Sequence, residues 1–236
     1  DFFTGYELQE LGQSNNGHTL QTSNGSLHAS YVVNVAGLHA DKLAHKTGIS
    51  NQYQIVPFRG EYYELIPEKQ ELVNSMIYPT PDPELPFLGV HYTRRTDGKV
   101  IIGPNAVLAF GREAYENTAV NVNELFDTLS YRGFWRLLAS RKMIQVAADE
   151  INKSYRKEAF IRAAQSLVPE VQTDDFRKSY AGIRAQVVRD DGTLVKDPLF
   201  EQGPASLHVL NAVSPGLTSS LPFGEHLANR VLRRLS

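Results

Sequence analysis

The stretch VVNVAGLHADKLA, residues 32–44, sets the organisation of the chain: an apolar strand stops at Gly37, and the apolar spacing of a short helix follows. A strand that ends in glycine leaves main chain without a Cβ, so another molecule can approach the backbone closely. The pattern therefore predicts a strand-turn-helix unit with a ligand near Gly37. A tight turn that binds nothing explains the same residues, and the pattern alone leaves both interpretations open.

Four dipeptides that favour β-hairpins lie between strand-like segments. Residues of this kind accept positive φ and close antiparallel strand pairs. The first two predict a three-stranded meander over about residues 5–36, and the other two predict one hairpin each. The dipeptides are Asn16-Gly17, Asn24-Gly25, Asp97-Gly98 and Asp191-Gly192.

Helical spacing of apolar residues over about 122–168 predicts two or three amphipathic helices, which lie between the third and the fourth hairpin turn. A final apolar strand at 207–213 precedes a helix whose inner face is predicted to carry Phe223, Leu227, Val231 and Leu235. The pattern predicts an α+β chain of two domains. Residues 1–50 and 206–236 form one domain, and residues 51–205 form the other.

Composition excludes several classes of protein. The 236 residues carry a formal charge of -2, so bulk electrostatics suggest neither nucleic acid nor an anionic membrane as partner. There is no cysteine, which excludes disulfides and thiolate chemistry, and no apolar run approaches the roughly 20 residues of a transmembrane helix. The sequence has no paired histidines for a metal, no G-x-S-x-G elbow and no P-loop.

Six segments together carry a family resemblance. They are VVNVAGLHADKLA (32–44), IVPFRGEYYEL (55–65), IYPTPDPELPFLGVHYT (77–93), IIGPNAVLAFGREAY (101–115), GIRAQ (182–186) and LNAVSPGLTSSLPFGEHLA (210–228). They resemble L-2-hydroxyglutarate dehydrogenases and oxidases, FAD-dependent enzymes related to D-amino-acid oxidase. The resemblance implies FAD as cofactor and the oxidation of L-2-hydroxyglutarate to 2-oxoglutarate. It also implies a partial FAD-binding domain that includes the meander, and an antiparallel-sheet substrate domain that carries helices, within a complete protein of the α/β class.

One family feature is missing from the sequence. Members begin with a Rossmann strand and a G-x-G-x-x-G turn that places phosphate at a helix N-terminus, and this chain has no such turn. It opens without Met, directly in strand-like alternation, so we expect it to begin inside a larger domain and to be inactive alone. Two alternatives stay open: a non-catalytic binding or interaction domain derived from a flavoenzyme, and oxidation of a different 2-hydroxy or 2-amino acid.

The resemblance implies that two segments border FAD. One is the strand end with Asn34, Ala36 and Gly37. The other is the loop before the last helix, where unpaired N–H groups and the positive helix end would stabilise charge on the flavin ring. An ordinary N-capped helix explains this loop as well. The loop residues are Ser214, Pro215, Gly216, Leu217, Thr218 and Ser219.

Arg184, in GIRAQ, is the first candidate for the substrate carboxylate, because a guanidinium forms a planar bidentate pair that lysine cannot copy. Related amine oxidases show Gly-x-Arg-Pro, whereas Ala185 follows the arginine here. Arg59 is the second candidate for an anion, with an ion pair to Glu61 as the alternative. A dicarboxylate needs a further cation, and Arg59, Arg94, Arg95 and Arg189 are all available.

Three further residues complete the predicted substrate site. His91, on an apolar strand in the most specific segment, is predicted to be the base for the hydroxyl proton or a hydrogen-bond donor to the substrate. Tyr62 and Asn105 are predicted to line the pocket. The resemblance leaves oxygen or a quinone as electron acceptor, and it implies a cytoplasmic protein that associates with the inner membrane if the acceptor is a quinone.

Overall fold

The computed structural model describes residues 1–14, 17–80, 89–212 and 216–235, and it has the mixed α+β composition that the sequence predicts. The strands are β1 (Leu8–Ser14), β2 (Gly17–Thr22), β3 (Gly25–Ala29), β4 (Val32–Asn34), β5 (Tyr53–Leu65), β6 (His91–Arg94), β7 (Val100–Gly103), β8 (Val107–Leu108), β9 (Phe176–Arg189), β10 (Leu199–Gly203) and β11 (Ser206–Asn211). The α-helices are α1 (Ala40–Lys46), α2 (Val122–Ser130), α3 (Arg132–Leu138), α4 (Arg141–Tyr155), α5 (Lys157–Gln165) and α6 (Ser220–Leu235).

The chain forms two compact units. Unit 1 contains Asp1–Ile55, Val187–Arg189 and Val195–Ser236, and unit 2 contains Val56–Gln186 and Asp190–Leu194. From the sequence, residues 51–205 are predicted to form one domain. In the structure β10, which lies within that range, belongs to unit 1, because β10 pairs with β11. The assignment of these units to cofactor and substrate stays a prediction.

Unit 1 holds two sheets. β1, β2 and β3 form the predicted antiparallel meander, which ends at Ala29 and does not extend to Ala36. β4 leaves the meander and pairs with β11 in parallel, in a second sheet of order β10-β11-β4. All six residues of β11 are buried, as expected for a central strand that is covered on both faces.

Helix α6 packs on this second sheet through one row of side chains. Phe223, Leu227 and Val231, spaced by four, contact a cluster that includes Leu207 and Val209 of β11. The row ends there, because Leu235 is 58% exposed, so the predicted fourth member of the inner face was wrong.

Unit 2 is built on an antiparallel sheet. Its strand order is β6-β7-β5-β8, and β9 also pairs with β5. The Asp97-Gly98 turn closes the β6–β7 hairpin as predicted. The Asp191-Gly192 turn follows β9, but a single bridge residue at Leu194 takes the place of the predicted return strand.

Helices cover one face of the unit 2 sheet. Phe160 and Ile161 of α5 pack against Leu65, Tyr92 and Ile102 in the main core. The helical region contains four helices rather than two or three, because the chain turns after residues 130, 138 and 155. None of the helices along the described residues is both long and apolar enough to cross a membrane.

Candidate functional site

In unit 1, the two segments predicted to border FAD follow neighbouring parallel strands. β4 and β11 are in register from Val32 opposite Ser206 to Asn34 opposite His208. Their carboxyl ends therefore lie at one edge of the sheet, the edge where open α/β sheets bind ligands. The turn at Ala36–Gly37 follows β4, and the loop that leads to α6 follows β11.

Asn34 organises the turn after β4. Its Nδ2 donates to the carbonyl of Ala40 at 2.8 Å and to Nδ1 of His208 at 3.0 Å, while its Oδ1 accepts from the Ala36 N–H at 3.1 Å. Nε2 of His208 then lies 3.0 Å from Oγ of Ser206. This buried network ties the strand end to the start of α1 and to β11.

The turn after β4 leaves its backbone exposed. Ala36 and Gly37 are exposed, Gly37 has a φ of +54°, and a Cβ built there would meet no described atom within 4 Å. A positive φ favours glycine at this position, and the open space lets a planar ring approach the backbone. In the second segment, Gly216 to Ser219 form the turn before α6, and Leu217 is 88% exposed. Ser214 and Pro215 lie outside the described residues.

The pH dependence of unit 1 stability follows from His208. Burial, and next the charge of nearby His18, lower the pKa of His208 below its ordinary value of about 6.5. The unfolded chain therefore takes up this proton before the folded chain does, so the free energy of unfolding should fall as pH decreases below about 6.5. Urea denaturation between pH 5 and 8 measures this slope.

Two variants distinguish the contribution of His208 to this slope from the contribution of other titrating groups. His208→Gln should make the slope below about pH 6.5 shallower, because the buried ring no longer titrates. His226→Gln, at an exposed position in the same unit, is the matched control and should keep the wild-type slope. An unchanged slope in His208→Gln would contradict the assignment.

In unit 2, one face of the sheet carries a row of polar side chains. His91 lies opposite Gly103, and the pairing of Tyr63 with Ile102 sets Tyr62 opposite Gly103 on the other side. The Tyr62 ring stacks on Tyr180 of β9, with centroids 4.8 Å apart and planes 25° apart. Cross-strand partners share a face, so His91, Tyr62 and Tyr180 form one row across three strands.

Gly103 lies in the middle of this row and is closely packed. Its φ is +140°, and a Cβ there would lie 2.6 Å from the backbone oxygen of Glu61 and 3.1 Å from Cδ1 of Tyr62. No side chain fits at this position. β7 therefore places no side chain between His91 and Tyr62 on this face.

Arg184 lies on the same face. It follows Tyr180 by four residues on β9, so alternation directs both side chains to one side, about 13 Å apart along the strand. Arg184 is accessible to solvent, but protein atoms around its guanidinium exclude part of the surrounding water and so lower its pKa. Burial, and next Tyr180, raise the pKa of Tyr62, which keeps this phenol protonated as a hydrogen-bond donor. Neighbouring protein atoms therefore partly dehydrate both groups.

The tautomer of His91 is set by a backbone carbonyl. Nδ1 lies 2.9 Å from the carbonyl oxygen of Gly89, and a carbonyl only accepts. Nδ1 therefore carries the hydrogen in the neutral ring, which leaves the lone pair on Nε2. The Tyr78 ring packs at 5.0 Å between centroids and holds the imidazole from one side.

Arg59 and Asn105 belong to a buried cluster around Glu61. Oε2 of Glu61 accepts from Nδ2 of Asn105 at 2.8 Å and from Oγ of Ser154 at 2.6 Å, and Oε1 lies 3.5 Å from Nη2 of Arg59. Glu61 and Tyr62 are consecutive in β5, so their side chains point to opposite faces. The structure thus places Arg59 and Asn105 in this buried cluster, whereas Tyr62 and Arg184 lie on the opposite face of the sheet.

Most of the other candidate cations already have partners. Nη1 of Arg94 donates to the carbonyls of Gln70 and Val73 at 3.1 and 3.0 Å, and Arg95 pairs with Asp97 at 3.4 Å. Arg189 lies in unit 1, 5.5 Å above the centre of the Tyr53 ring. Within the described ranges, no group of three or more acidic or histidine residues could hold a metal ion.

Sequence reasoning missed Tyr180. It lies on β9, four residues before Arg184, and is 49% exposed. An exposed tyrosine at an even spacing from the candidate arginine was the available signal, but only the strand pairing shows that it stacks on Tyr62.

Known proteins resemble this chain over nearly its whole length. The sequence profile of the family described as DAO, FAD dependent oxidoreductase, matches residues 1–230. An L-2-hydroxyglutarate dehydrogenase of Indibacter alkaliphilus is 40% identical over 233 residues, which is 98% of this chain and 58% of that protein. The L-2-hydroxyglutarate dehydrogenase of Escherichia coli K12 is 39% identical over 95% of this chain and 53% of its own length. The chain therefore spans just over half the length of these curated relatives.

Solved structures share the fold at low sequence identity. An L-α-glycerophosphate oxidase of Mycoplasma pneumoniae with FAD bound has a TM-score of 0.61 at 18% identity, over 98% of this chain and 50% of that one. A glycerol-3-phosphate dehydrogenase of Bacillus halodurans complexed with FAD has a TM-score of 0.60 at 14% identity, over 99% of this chain and 39% of that one. With the profile match over nearly its whole length, the chain belongs to the DAO family of FAD-dependent oxidoreductases.

Proposed function

We propose that the protein oxidises L-2-hydroxyglutarate to 2-oxoglutarate with FAD as cofactor. Family membership supports the cofactor, and relatives at 39–40% identity that carry the name L-2-hydroxyglutarate dehydrogenase support the substrate. The observation that carries the proposal is the face of the unit 2 sheet that holds Arg184, Tyr62 and His91. It combines a guanidinium for a carboxylate, the phenol of Tyr62 as a donor and an imidazole as base.

The residues of unit 1 fit a flavin. Exposed main chain at Ala36 and Gly37, with open space where a Cβ would stand, suits a planar ring, and the turn Gly216–Ser219 follows the neighbouring parallel strand. We assign these two segments to the flavin, together with Asn34, which positions the first of them. When bound, FAD supplies the acceptor for the hydride that leaves C2 of the substrate.

Arg184 and the tyrosines hold the substrate. The guanidinium binds the C1 carboxylate with two parallel hydrogen bonds, which fixes the direction of the C2 hydrogen. Tyr62, protonated because burial raises its pKa, donates a hydrogen bond to a substrate oxygen. Partial dehydration of this surface strengthens both contacts relative to bulk water.

His91 takes the hydroxyl proton. Its Nε2 lone pair is available because Nδ1–H is engaged by the Gly89 carbonyl. As the C2–H bond breaks with its electron pair, the O–H proton passes to Nε2 and the C2–O bond becomes the keto group. The substrate loses one hydride and one proton, which balances the oxidation.

An anaerobic titration of the full-length gene product tests the function. We expect the visible flavin absorption to bleach on addition of L-2-hydroxyglutarate, with 2-oxoglutarate formed in equal amount. D-2-hydroxyglutarate is the matched control, because its C2 hydrogen points the other way when the carboxylates are held alike. A protein that contains flavin but is bleached by no 2-hydroxy acid would contradict the proposal.

Reoxidation of the bleached protein identifies the electron acceptor. Oxygen uptake would assign an oxidase, whereas reoxidation by a soluble quinone with little oxygen uptake would assign a dehydrogenase. A quinone acceptor would also place the reaction at a membrane surface. Sedimentation with lipid vesicles then measures that association directly.

A further inference from the structure

Unit 2 contains an apolar cavity whose lining includes none of His91, Tyr62, Tyr180 and Arg184. It lies between β5 and β8 on one side and α3 and α4 on the other, and its volume is about 170 Å³. All the side chains that line it are apolar. The N–H of Ala106, which belongs to the wall, already donates to Oε2 of Glu150 at 2.6 Å. The wall therefore offers a ligand no hydrogen-bonding side chain.

Helix α4 is incompletely covered along this cavity. Met143, Val146, Ala147 and Ile151 follow the spacing of one helix face and point into the cavity. Yet no described side chain of this 15-residue helix is buried. An amphipathic helix normally buries its apolar stripe, whereas the described residues cover this face only partly.

Exposed apolar side chains lie on the two helices that line the cavity. Ile151 lines it and is 52% exposed, and Ile144, on the neighbouring row of α4, is 53% exposed. On α3, Trp135 is 55% exposed and packs against the wall residue Phe134 at 5.5 Å between ring centroids. Through Ile151 the apolar wall of the cavity therefore continues to the protein surface.

We propose that this cavity binds the hydrocarbon tail of an amphiphile. Apolar cavities of about 150 Å³ stay dry and accept benzene, so this one has room for a segment of about six carbons. A polar head would be dehydrated inside without compensation, so it stays outside the cavity. The tail can belong to a lipid or to a quinone, which present the same chemistry to the wall.

Binding of two tailed probes tests this site. Decanoate and a decyl-substituted benzoquinone are titrated into the protein, with acetate and a methyl-substituted benzoquinone as controls without a tail. Fluorescence of Trp135, the single tryptophan of the chain, reports occupancy, and a ligand-dependent rise in melting temperature confirms it. We expect saturable binding of both decyl probes and of neither control. Tighter binding of the quinone assigns a quinone tail, and equal or tighter binding of decanoate assigns a lipid tail.

Neighbouring positions on α4 supply the matched variants. Ala147→Phe fills the cavity and should weaken binding of the decyl probes at least tenfold, whereas Ala148→Phe, on the exposed side, should change it less than twofold. If Ala147→Phe does not fold, Val146→Thr places a hydroxyl on the wall and should weaken binding as well. Absence of saturable binding, or equal binding by wild type and the cavity variants, would overturn the proposal. These outcomes do not depend on the oxidation of L-2-hydroxyglutarate.

Discussion

Replacement of Arg184 by lysine is expected to lower kcat/KM for L-2-hydroxyglutarate by roughly 100-fold. Lysine keeps the positive charge but cannot form the two parallel hydrogen bonds of a guanidinium to a carboxylate. Hydrogen bonds to charged groups contribute about 1.5–3 kcal/mol, so loss of the bidentate geometry costs about 3 kcal/mol in the transition state. Steady-state kinetics of both variant and wild type measure the ratio.

Two controls show that the loss arises from substrate binding. Arg177→Lys changes an exposed arginine on the same strand at an odd spacing from Arg184, which directs it to the other face, so kcat/KM should stay near the wild-type value. The urea midpoint of Arg184→Lys should match that of wild type, because the side chain is exposed. A kcat/KM within threefold of wild type in Arg184→Lys would remove Arg184 from the substrate site.

Replacement of Glu61 by alanine is expected to lower the free energy of unfolding by roughly 3–5 kcal/mol, the range for removal of one partner of a buried ion pair. Glu61 and Arg59 are each 8% exposed in their side chains, and the same carboxylate accepts from Asn105 and Ser154. Its removal leaves a buried guanidinium without its counter-ion and two donors without an acceptor. Urea denaturation measures the loss.

A double variant distinguishes the effect of an unpaired buried charge from the effect of lost packing volume. Arg59→Met combined with Glu61→Leu removes both charges and keeps apolar volume, so it should recover much of the stability lost in Glu61→Ala. Glu64→Ala is the matched control on the same strand. Its pair with Lys99, at 3.2 Å, is partly exposed, with 51% of the Lys99 and 26% of the Glu64 side chain accessible, and should contribute less than about 1 kcal/mol. Equal effects of Glu61→Ala and Glu64→Ala would contradict the structural role of the cluster.

Local sequence signals predicted most of the secondary structure. Asn-Gly and Asp-Gly pairs accept positive φ wherever they occur, so the β1–β3 meander and the β6–β7 hairpin follow from a few adjacent residues. The strand-turn-helix at Val32–Lys46 and the helix after Ser219 follow in the same way. Errors arose where a boundary depends on distant packing, as at Leu235 and at the return strand after Asp191.

The roles of the candidate site residues stay predictions, but the structure shows which of them lie together. Arg184, Tyr62 and His91 share one face, whereas Arg59 and Asn105 belong to the buried Glu61 cluster. The interval between Arg59 and Tyr62 is three residues, an odd number, so a strand directs them to opposite faces. The sequence contained this information once β5 was known to be a strand. Which of the two faces is covered by helices was not contained in it.

The sequence by itself determined the elements, the family resemblance and the chemical types at the candidate site, because these depend on residues close together in the chain. Only the tertiary structure decided that β4 pairs in parallel with β11, more than 170 positions later, and that Tyr180 stacks on Tyr62. It also showed that Arg59 lies 3.5 Å from Glu61, in a buried cluster with Asn105 and Ser154. The β4–β11 and Tyr62–Tyr180 contacts join residues far apart in the chain, and their energies come from burial and pairing that exist only when the strands have met.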